Sequence, residues 1–255
     1  MENIDYQKQS IITRAIIKAA VLMSEYGAES ILIEQTAQRL GHALGVDSVE
    51  ISMIPVAIVL TTLHKHQSVT TTRRVHHKPI NMSIVCDIQK IVIDIEKKSY
   101  DVTYLLAKLK EIQPNYYNRW LVVFMVGLAC ASFAFLQGSD WMAFFITFFA
   151  SSIAMFVRQE LARRRFVLII TFGVTAFTAT MIASISQLLS STPSIALASS
   201  VLLLAPGFSF VNSFLDALKG YLMMGWGRWM EGILLTIATS IGIIIAMAIL
   251  NIKGW

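Results

Sequence analysis

The sequence predicts an α-helical integral membrane protein with about five transmembrane helices, preceded by an N-terminal α+β cytoplasmic domain. Two observations predict this fold class. The 255-residue chain is 55% hydrophobic and only 15% charged, whereas soluble domains are about 25% charged. The charges also divide unevenly, because residues 1–118 hold thirteen Lys or Arg and twelve acids while residues 119–255 hold eight and four. We therefore expect a cytoplasmic domain at 1–118 and a transmembrane domain at 119–255.

Hydrophobic periodicity divides the first half into helices and strands. Apolar side chains recur every three to four residues in four stretches, and this spacing predicts four helices. These helices are expected at 11–26, 29–44, 84–97 and 102–112. Between the second and third helices the apolar residues alternate instead, which predicts about three short antiparallel strands between Val49 and Val75. Pro55 and the segment 65–68 are the expected turns.

The second half consists of long apolar runs that match the roughly 17–25 residues of a transmembrane helix. The expected spans are 120–137, 141–157, 166–189, 195–218 and 232–250. Charged segments such as Arg158–Arg165 are expected to be loops between spans. Small residues in the first and fifth spans would let helices approach closely, at Gly127, Ala131, Gly232 and Gly242. In the third span Thr171, Thr175 and Thr178 share one face, where they would either join helices or line a polar path.

The basic residues predict the orientation of the spans. Seven of the eight Lys and Arg residues in the second half precede the first span, lie between the second and third, or lie between the fourth and fifth. The positive-inside rule assigns these connections, and therefore the N-terminus, to the cytoplasm. The remaining one, Lys253, lies in a tail predicted to be on the opposite side. Tryptophans near predicted span ends, including Trp120, Trp141 and Trp255, suit an aromatic belt.

Several classes of function are excluded by the composition and motifs. The sequence pI of about 9.2 arises from short loops between apolar spans rather than from one accessible basic face, so we expect no nucleic-acid binding. The two cysteines, Cys86 and Cys130, form no disulfide framework. No nucleophile elbow, zinc-protease motif or phosphate loop occurs, so we expect no catalytic residue and no cofactor. His64 and His66 would share a strand face, but no ligand accompanies them at metal-site spacing, and no metal is expected.

The segment 205–228 contains the candidate functional residues. Pro206 has no N–H and Gly207 is conformationally permissive, so we expect the fourth span to break there. In a membrane, broken backbone is tolerated only inside protein or beside a water-filled cavity. Many transporters build their substrate sites from such broken helices.

Polar residues after the expected break predict a binding site for a small carboxylate. The new half-helix would present free N–H groups and a positive dipole end, which suit an anion. Asp216 would carry a coupling proton or pair with Lys219 inside the membrane, or else act as a cap or ion pair at its cytoplasmic edge. The predicted substrate-binding or translocation residues are Pro206, Gly207, Phe208, Ser209, Asn212, Asp216, Lys219 and Gly220.

These residues resemble the signature of the threonine/serine exporter family. The pattern in the second half consists of Pro206-Gly207, Asn212, Asp216, Gly220, Gly225 and Arg228. The first half is similar to the family as well, at Gly27-Ala28-Glu29, Glu34, Arg39-Leu40 and Gly45. The resemblance covers nearly the whole chain. It implies a multi-pass protein of the bacterial inner membrane, with a cytoplasmic N-terminus and a periplasmic C-terminus.

The length of the chain points to one form of that family. Single-chain members are about twice as long, with about ten spans, so this chain resembles the split form that works with a smaller YjjB-like membrane subunit. The resemblance implies export of small carboxylates, foremost succinate and other C4-dicarboxylates. We expect the proton gradient to drive this export. A threonine/serine exporter subunit and a membrane-anchored sensor or scaffold are the alternatives. The expected partners are the second subunit, the lipid bilayer and the carboxylate, and a homo-oligomer is left open.

Overall fold

The computed structural model describes residues 5–76, 78–98 and 100–252. It divides into two compact units. The sheet-containing unit comprises the chain up to Tyr116 together with Phe210–Trp229, and the apolar unit comprises Tyr117–Ser209 and the chain from Met230 onward. The sheet-containing unit is therefore discontinuous in sequence. Lys253 and Trp255, which entered the topology prediction, lie outside the described residues.

Helices in the first 116 residues form where the apolar periodicity predicts them. They are α1 (Tyr6–Glu25), α2 (Ser30–Ala43), α3 (Met82–Lys98) and α4 (Val102–Glu111). The first begins earlier than predicted because the Asp5 carboxylate accepts a hydrogen bond from the Tyr6 amide and caps the helix. Gly27 and Gly45 follow α1 and α2 with φ of +93° and +88°, a conformation that glycine adopts without strain and that commonly ends helices.

The predicted antiparallel sheet is confirmed, with the strand order β1-β2-β3. The strands are β1 (Ser48–Ile54), β2 (Ala57–His64) and β3 (Gln67–Arg74). Ile54 faces Ala57 across the first turn, and His64 faces Gln67 across the second. His66 lies in that second turn, so the expectation that it shares a strand face with His64 is wrong. The turn forms because Lys65 adopts φ +52° and donates its backbone N–H to an Asp47 carboxylate oxygen at 2.6 Å.

The core of the sheet-containing unit lies around α1. Ile12, Ile16 and Met23 of that helix are fully buried, together with Ile58 and Leu60 of β2. Burying an aliphatic side chain of this size contributes roughly 1.5–3 kcal/mol. Helices α2, α3 and α4 supply further core side chains, among them Ile33, Leu40, Ile88, Ile95 and Leu105. The amphipathic faces read from the sequence therefore converge on one core.

A surface ion pair joins α2 to α3 and predicts a pH-dependent contribution to their packing. Arg39 Nε and Nη2 donate to the two Glu96 carboxylate oxygens at 2.8 and 2.7 Å. These hydrogen bonds hold the pKa of Glu96 below its usual value of 4.5. Since the folded state has the lower pKa, the pair stabilises the fold above about pH 4.5, and this contribution disappears as the pH falls through the folded-state pKa.

We expect Arg39→Gln to destabilise the α2–α3 contact by about 0.5–1 kcal/mol at pH 7, because both side chains are partly exposed. The difference from the wild type should shrink below pH 4.5 as Glu96 takes up its proton. Hydrogen–deuterium exchange of the α3 amides, compared between the variant and the wild type at several pH values, measures this loss of stability. Lys90→Gln, which removes an exposed pair with Asp87 within α3, is the control. A deficit that stays constant with pH would contradict this account.

Apolar helices dominate the rest of the chain. They are α5 (Arg119–Leu136), α6 (Trp141–Arg163), α7 (Leu168–Ala183), α8 (Ser186–Leu189), α9 (Pro193–Ser200), a 3₁₀ turn (Leu202–Leu204), α10 (Gly207–Leu218) and α11 (Leu222–Ile249). Within the described residues, four helical segments are long and apolar enough to cross a membrane. A fifth is added if the bent pair Pro193–Leu204 and Gly207–Leu218 forms one span. This agrees with the predicted number of about five.

Three of the predicted spans differ from the observed helices, two in their boundaries and one in its continuity. The fifth helix, α11, begins at Leu222 rather than at 232, and α6 continues past 157 to Arg163. Charged residues interrupt an apolar run, but they do not interrupt helical hydrogen bonding, and Glu160 even pairs with Arg164 one turn later at 3.2 Å. The predicted fourth span, 195–218, is not one helix, because it is interrupted at Val201 and again at Ala205-Pro206.

Small residues bring the apolar helices close together, as predicted for Gly127 and Gly242. A Cβ atom on Gly242 of α11 would lie 2.2 Å from the Gly173 carbonyl oxygen of α7. On Gly127 of α5, a Cβ atom would lie 2.9 Å from the Phe148 carbonyl oxygen of α6. Both distances are shorter than real Cβ contacts, so the backbones approach to a separation that only glycine permits.

The threonine hydroxyls of α7 are used within their own helix. Thr171, Thr175 and Thr178 each donate to the carbonyl oxygen four residues earlier, at 3.2, 2.6 and 2.8 Å. Back-bonding of this kind satisfies the hydroxyl donor without a neighbouring helix. These donors therefore do not join α7 to another helix.

Candidate functional site

The predicted site residues fall into two groups. Asn212, Asp216, Lys219 and Gly220 belong to the sheet-containing unit. The other four, Pro206, Gly207, Phe208 and Ser209, belong to the apolar unit, where α10 begins. The sequence analysis predicts the eight residues as one site, whereas in the structure the two groups belong to different units and have different neighbours.

The first group surrounds the connection between α1 and α2. Asp216 is fully buried, and its Oδ1 accepts a hydrogen bond from the Ser30 backbone amide at 3.0 Å. Ser30 is the first residue of α2, and the preceding Glu29 provides no side-chain cap. A carboxylate at this position satisfies an amide that has no partner within the helix and interacts favourably with the helix dipole. Asp216 is thus the cap of α2, supplied from α10.

Arg228 completes this arrangement from α11. Its Nη1 lies 2.9 Å from Asp216 Oδ2, and its Nη2 donates to the Ala28 carbonyl oxygen at 2.7 Å. Asn212 Nδ2 donates to the Gly27 carbonyl oxygen at 3.3 Å. We call these residues, Asn212, Asp216 and Arg228 with the segment Gly27–Ser30, the capping cluster.

The capping cluster corrects one predicted pairing. Asp216 pairs with Arg228 rather than with Lys219, because Lys219 lies in the turn after α10 and pairs instead with Glu29 at 2.5 Å. Gly220 follows with φ +91° and ends the helix. Of the alternatives for Asp216, the contacts are those of a cap and ion pair, while its part in transport stays a prediction.

Tyr221 adds a further contact to α2. Its hydroxyl donates to the Glu34 carboxylate. Burial, and then the hydrogen bond to Glu34, raise the pKa of Tyr221 far above its usual value, so the tyrosine stays a donor. No local sequence pattern pairs these residues, since they lie nearly two hundred positions apart.

The two segments that resemble the exporter signature therefore contact each other. Gly27-Ala28-Glu29, just before α2, is bound by Asn212, Arg228 and Lys219 through one contact each. A fourth contact joins Asp216 to Ser30, the first residue of α2. Gly225 allows this arrangement, because a Cβ atom there would lie 2.6 Å from the Ser213 carbonyl oxygen. The signature residues of the second half thus hold the signature residues of the first half.

The second group lies at the predicted helix break, which is confirmed. The helical segment Pro193–Leu204 ends before Ala205-Pro206. The next helix, Gly207–Leu218, continues at an angle of 58° to it. Gly207 and Phe208 at the start of α10 are exposed, and Pro206 and Ser209 are half-buried. A Cβ atom on Gly207 would meet nothing within 4 Å, so the first turn of α10 has open space beside it.

Side chains of α6 bind the backbone carbonyls on the N-terminal side of this break. Ser151 Oγ donates to the Ser200 carbonyl oxygen at 3.2 Å, and Arg158 Nη1 donates to the Leu203 carbonyl oxygen at 3.2 Å. The Arg158 guanidinium carbon lies 4.7 Å from the centre of the Phe172 ring of α7. We call Arg158, Phe172 and the segment Ser200–Pro206 the break site.

Sequence reasoning missed Arg158, because it assigned 158–165 to a charged loop. A pattern that would have found it is present: small or hydroxyl side chains at Ala143, Thr147, Ser151 and Ala154 are buried along one face of α6. Arg158 follows at the same helical spacing. A cation that continues a buried small-residue face points into the helix bundle rather than away from it.

An apolar groove in the sheet-containing unit is a poor candidate for a carboxylate. It has a volume of about 410 Å³ and is lined by Ser213, Phe214, Ala217, Leu222, Met223, Gly225, Trp226 and Trp229. The one hydroxyl among these side chains already donates to the Phe210 carbonyl oxygen at 2.7 Å. Among the described residues, no group of three or more His, Cys, Asp or Glu side chains could hold a metal ion.

Comparisons with known proteins identify the family. A family model described as "Putative threonine/serine exporter" matches residues 14–250. The chain is 44% identical over 252 residues to an Escherichia coli K12 protein named "Probable succinate transporter subunit YjjP", with 98% of each chain covered. A Klebsiella aerogenes protein of the same name is 43% identical over 254 residues, again with 98% of each covered.

A more distant relative is about twice as long. The Mycobacterium tuberculosis "Probable threonine/serine exporter" is 22% identical over 248 residues, which cover 95% of this chain and 47% of that protein. No solved structure matches the chain. The family match and the two full-length relatives show that the chain belongs to the threonine/serine exporter family as a YjjP-like transporter subunit.

Proposed function

We propose that this chain exports succinate or a related C4-dicarboxylate from the cytoplasm together with a smaller YjjB-like membrane subunit. The observation that carries the proposal is the 44% identity, over 98% of both chains, to a protein named "Probable succinate transporter subunit YjjP". The word subunit in that name supports the existence of a partner chain, and we propose that the smaller YjjB-like protein is this partner. Export would be driven by the proton gradient.

The proposed topology places residues 1–118 in the cytoplasm and 119–255 in the inner membrane. Its support is the distribution of basic residues, since the positive-inside rule assigns Arg119, Arg163–Arg165, Lys219 and Arg228 to the cytoplasmic side. The N-terminus would then be cytoplasmic and the C-terminus periplasmic.

Both parts of the predicted site have a role in this proposal. The first turn of α10, from Pro206 to Ser209, would offer its free amides to a carboxylate, as broken helices do in other transporters. Asn212, Asp216, Lys219 and Gly220 would hold α2 against α10 and α11 in the conformation that transport requires. The capping contacts support this second role.

Threonine or serine export is the second candidate function. Its support is the description of the matching family model and the name of the Mycobacterium tuberculosis relative. These amino acids also carry a carboxylate, so a carboxylate-binding site does not separate the two candidates.

Flux through reconstituted vesicles tests the proposal. Vesicles containing this chain alone, the YjjB-like chain alone, or both are loaded with labelled succinate, threonine or serine, and efflux is measured with and without a proton gradient. We expect succinate efflux only from vesicles that contain both chains. Efflux of threonine or serine without succinate would favour the second candidate. No carboxylate flux with both chains inserted would overturn the proposal.

A further inference from the structure

Arg158 carries a positive charge inside the apolar unit, and no acidic side chain among the described residues pairs with it. The side chain is half-buried, and among the described residues its contacts are one hydrogen bond, to the Leu203 carbonyl oxygen, and the Phe172 ring. A guanidinium has five N–H donors, so four of them have no protein partner in the described part of the chain. The other arginines near the end of α6, Arg163 and Arg164, differ, because both are mostly exposed and pair with Glu160.

An ionisable side chain inside a membrane-spanning bundle is costly and usually faces the bundle interior. A role as a cap for the broken helix would require only a neutral donor, because the Leu203 carbonyl oxygen accepts one hydrogen bond from Arg158. The neutral amide of a glutamine would serve for that purpose. The permanent charge and the planar fork of arginine suit a carboxylate, which they bind with two parallel hydrogen bonds.

We propose that Arg158 binds a carboxylate group of the transported substrate at the break site. This proposal rests on the proposed function, and it assigns to α6 a substrate contact that the signature residues of α10 do not include. The Phe172 ring would hold the guanidinium in place through its face. The substrate carboxylate would accept two parallel hydrogen bonds from the donors of Arg158 that Leu203 does not use, and the contact with the Leu203 carbonyl oxygen would be kept.

Binding of succinate and of monomethyl succinate to the two-chain complex tests the proposal. The variants are Arg158→Gln, which keeps a donor for the Leu203 carbonyl oxygen, and Arg158→Lys, which keeps the charge. Arg163→Gln is the matched control, since Arg163 lies on the same helix and is mostly exposed. Calorimetry on the purified complex gives the dissociation constants, and size-exclusion profiles report whether each variant folds.

We expect Arg158→Gln to weaken succinate binding by about 30-fold or more, which is typical for removal of one partner of a buried charge pair. Arg158→Lys should weaken it less, and Arg163→Gln should have no effect. The preference for succinate over its monomethyl ester should collapse in Arg158→Gln, because each ligand then has one carboxylate contact. If Arg158 had a purely structural role, Arg158→Gln would weaken the binding of both ligands by the same factor and leave that preference unchanged.

Two outcomes separate this proposal from the function on which it rests. If the wild-type complex binds succinate and Arg158→Gln binds both ligands as the wild type does, the role of Arg158 is refuted while the function stands. If the wild-type complex binds no carboxylate, the proposed function fails first, and the assignment of Arg158 fails with it.

Discussion

Asp216→Asn is expected to impair export strongly while the protein still inserts into the membrane. Asparagine keeps an oxygen that can accept the Ser30 amide, but it removes the negative charge that lies 2.9 Å from Arg228 Nη1. Asp216 is fully buried and the Arg228 side chain is 13% exposed, so water compensates little. Removing one partner of a buried ion pair typically costs 3–5 kcal/mol, and we expect about 3 kcal/mol here.

The loss of stability in Asp216→Asn should appear first at the start of α2. Hydrogen–deuterium exchange of the amides from Ser30 to Ile33 should accelerate, because the cap and the charge–dipole interaction are both weakened. Lys219→Gln is the matched control, since its pair with Glu29 is about one-third exposed on each side and should contribute at most about 1 kcal/mol.

A double variant shows whether the loss of the charge pair causes the destabilisation in Asp216→Asn. Asp216→Asn combined with Arg228→Gln removes both charges, so its cost should be smaller than the sum of the two single costs. Additive costs would mean that the two side chains act independently. Unchanged export and unchanged exchange in Asp216→Asn would remove Asp216 from the mechanism.

Gly242→Ala is expected to destabilise the apolar unit by about 2–3 kcal/mol, the usual cost of overpacking a tight contact. The added methyl group would lie 2.2 Å from the Gly173 carbonyl oxygen. Because that neighbour is backbone in the middle of α7, it cannot rotate away, and the two helices must separate. The apparent melting temperature of the detergent-solubilised protein should fall accordingly.

Two other glycines provide a graded comparison for stability. A Cβ atom on Gly173 would lie 3.3 Å from the Ala238 carbonyl oxygen, whereas one on Gly207 would meet nothing within 4 Å. We therefore expect Gly242→Ala to lower the melting temperature most, Gly173→Ala less, and Gly207→Ala least. Equal melting temperatures for Gly242→Ala and Gly207→Ala would contradict the close packing of α7 on α11.

Local sequence patterns predicted the elements of this fold well. The helical spacing of Ile12 and Ile16 and the alternation from Val49 onward both depend on neighbouring residues, which the sequence displays directly. The break at Pro206-Gly207 was predictable for the same reason, since it follows from the chemistry of two adjacent residues.

Contacts between distant segments were not predictable. Nothing within α10 indicates that Asp216 caps a helix that begins at Ser30, and Lys219 is the nearer cation in sequence. Charge counting also placed Arg158 and Arg228 in loops, because hydropathy alone does not distinguish a solvated cation from one held within a helix bundle. Both arginines were misplaced because charged residues were interpreted as the ends of spans, although each of them lies within a helix and makes contacts there.

The discontinuity of the sheet-containing unit limits how such proteins can recombine. Residues 210–229 supply Met224 to its core and Asp216 and Arg228 to the first turn of α2. A hybrid that joined the first 116 residues of one relative to the remainder of another would combine two halves of one interface that had diverged separately. Functional chimeras should therefore require exchange of both pieces together, and natural shuffling at residue 117 should be rare.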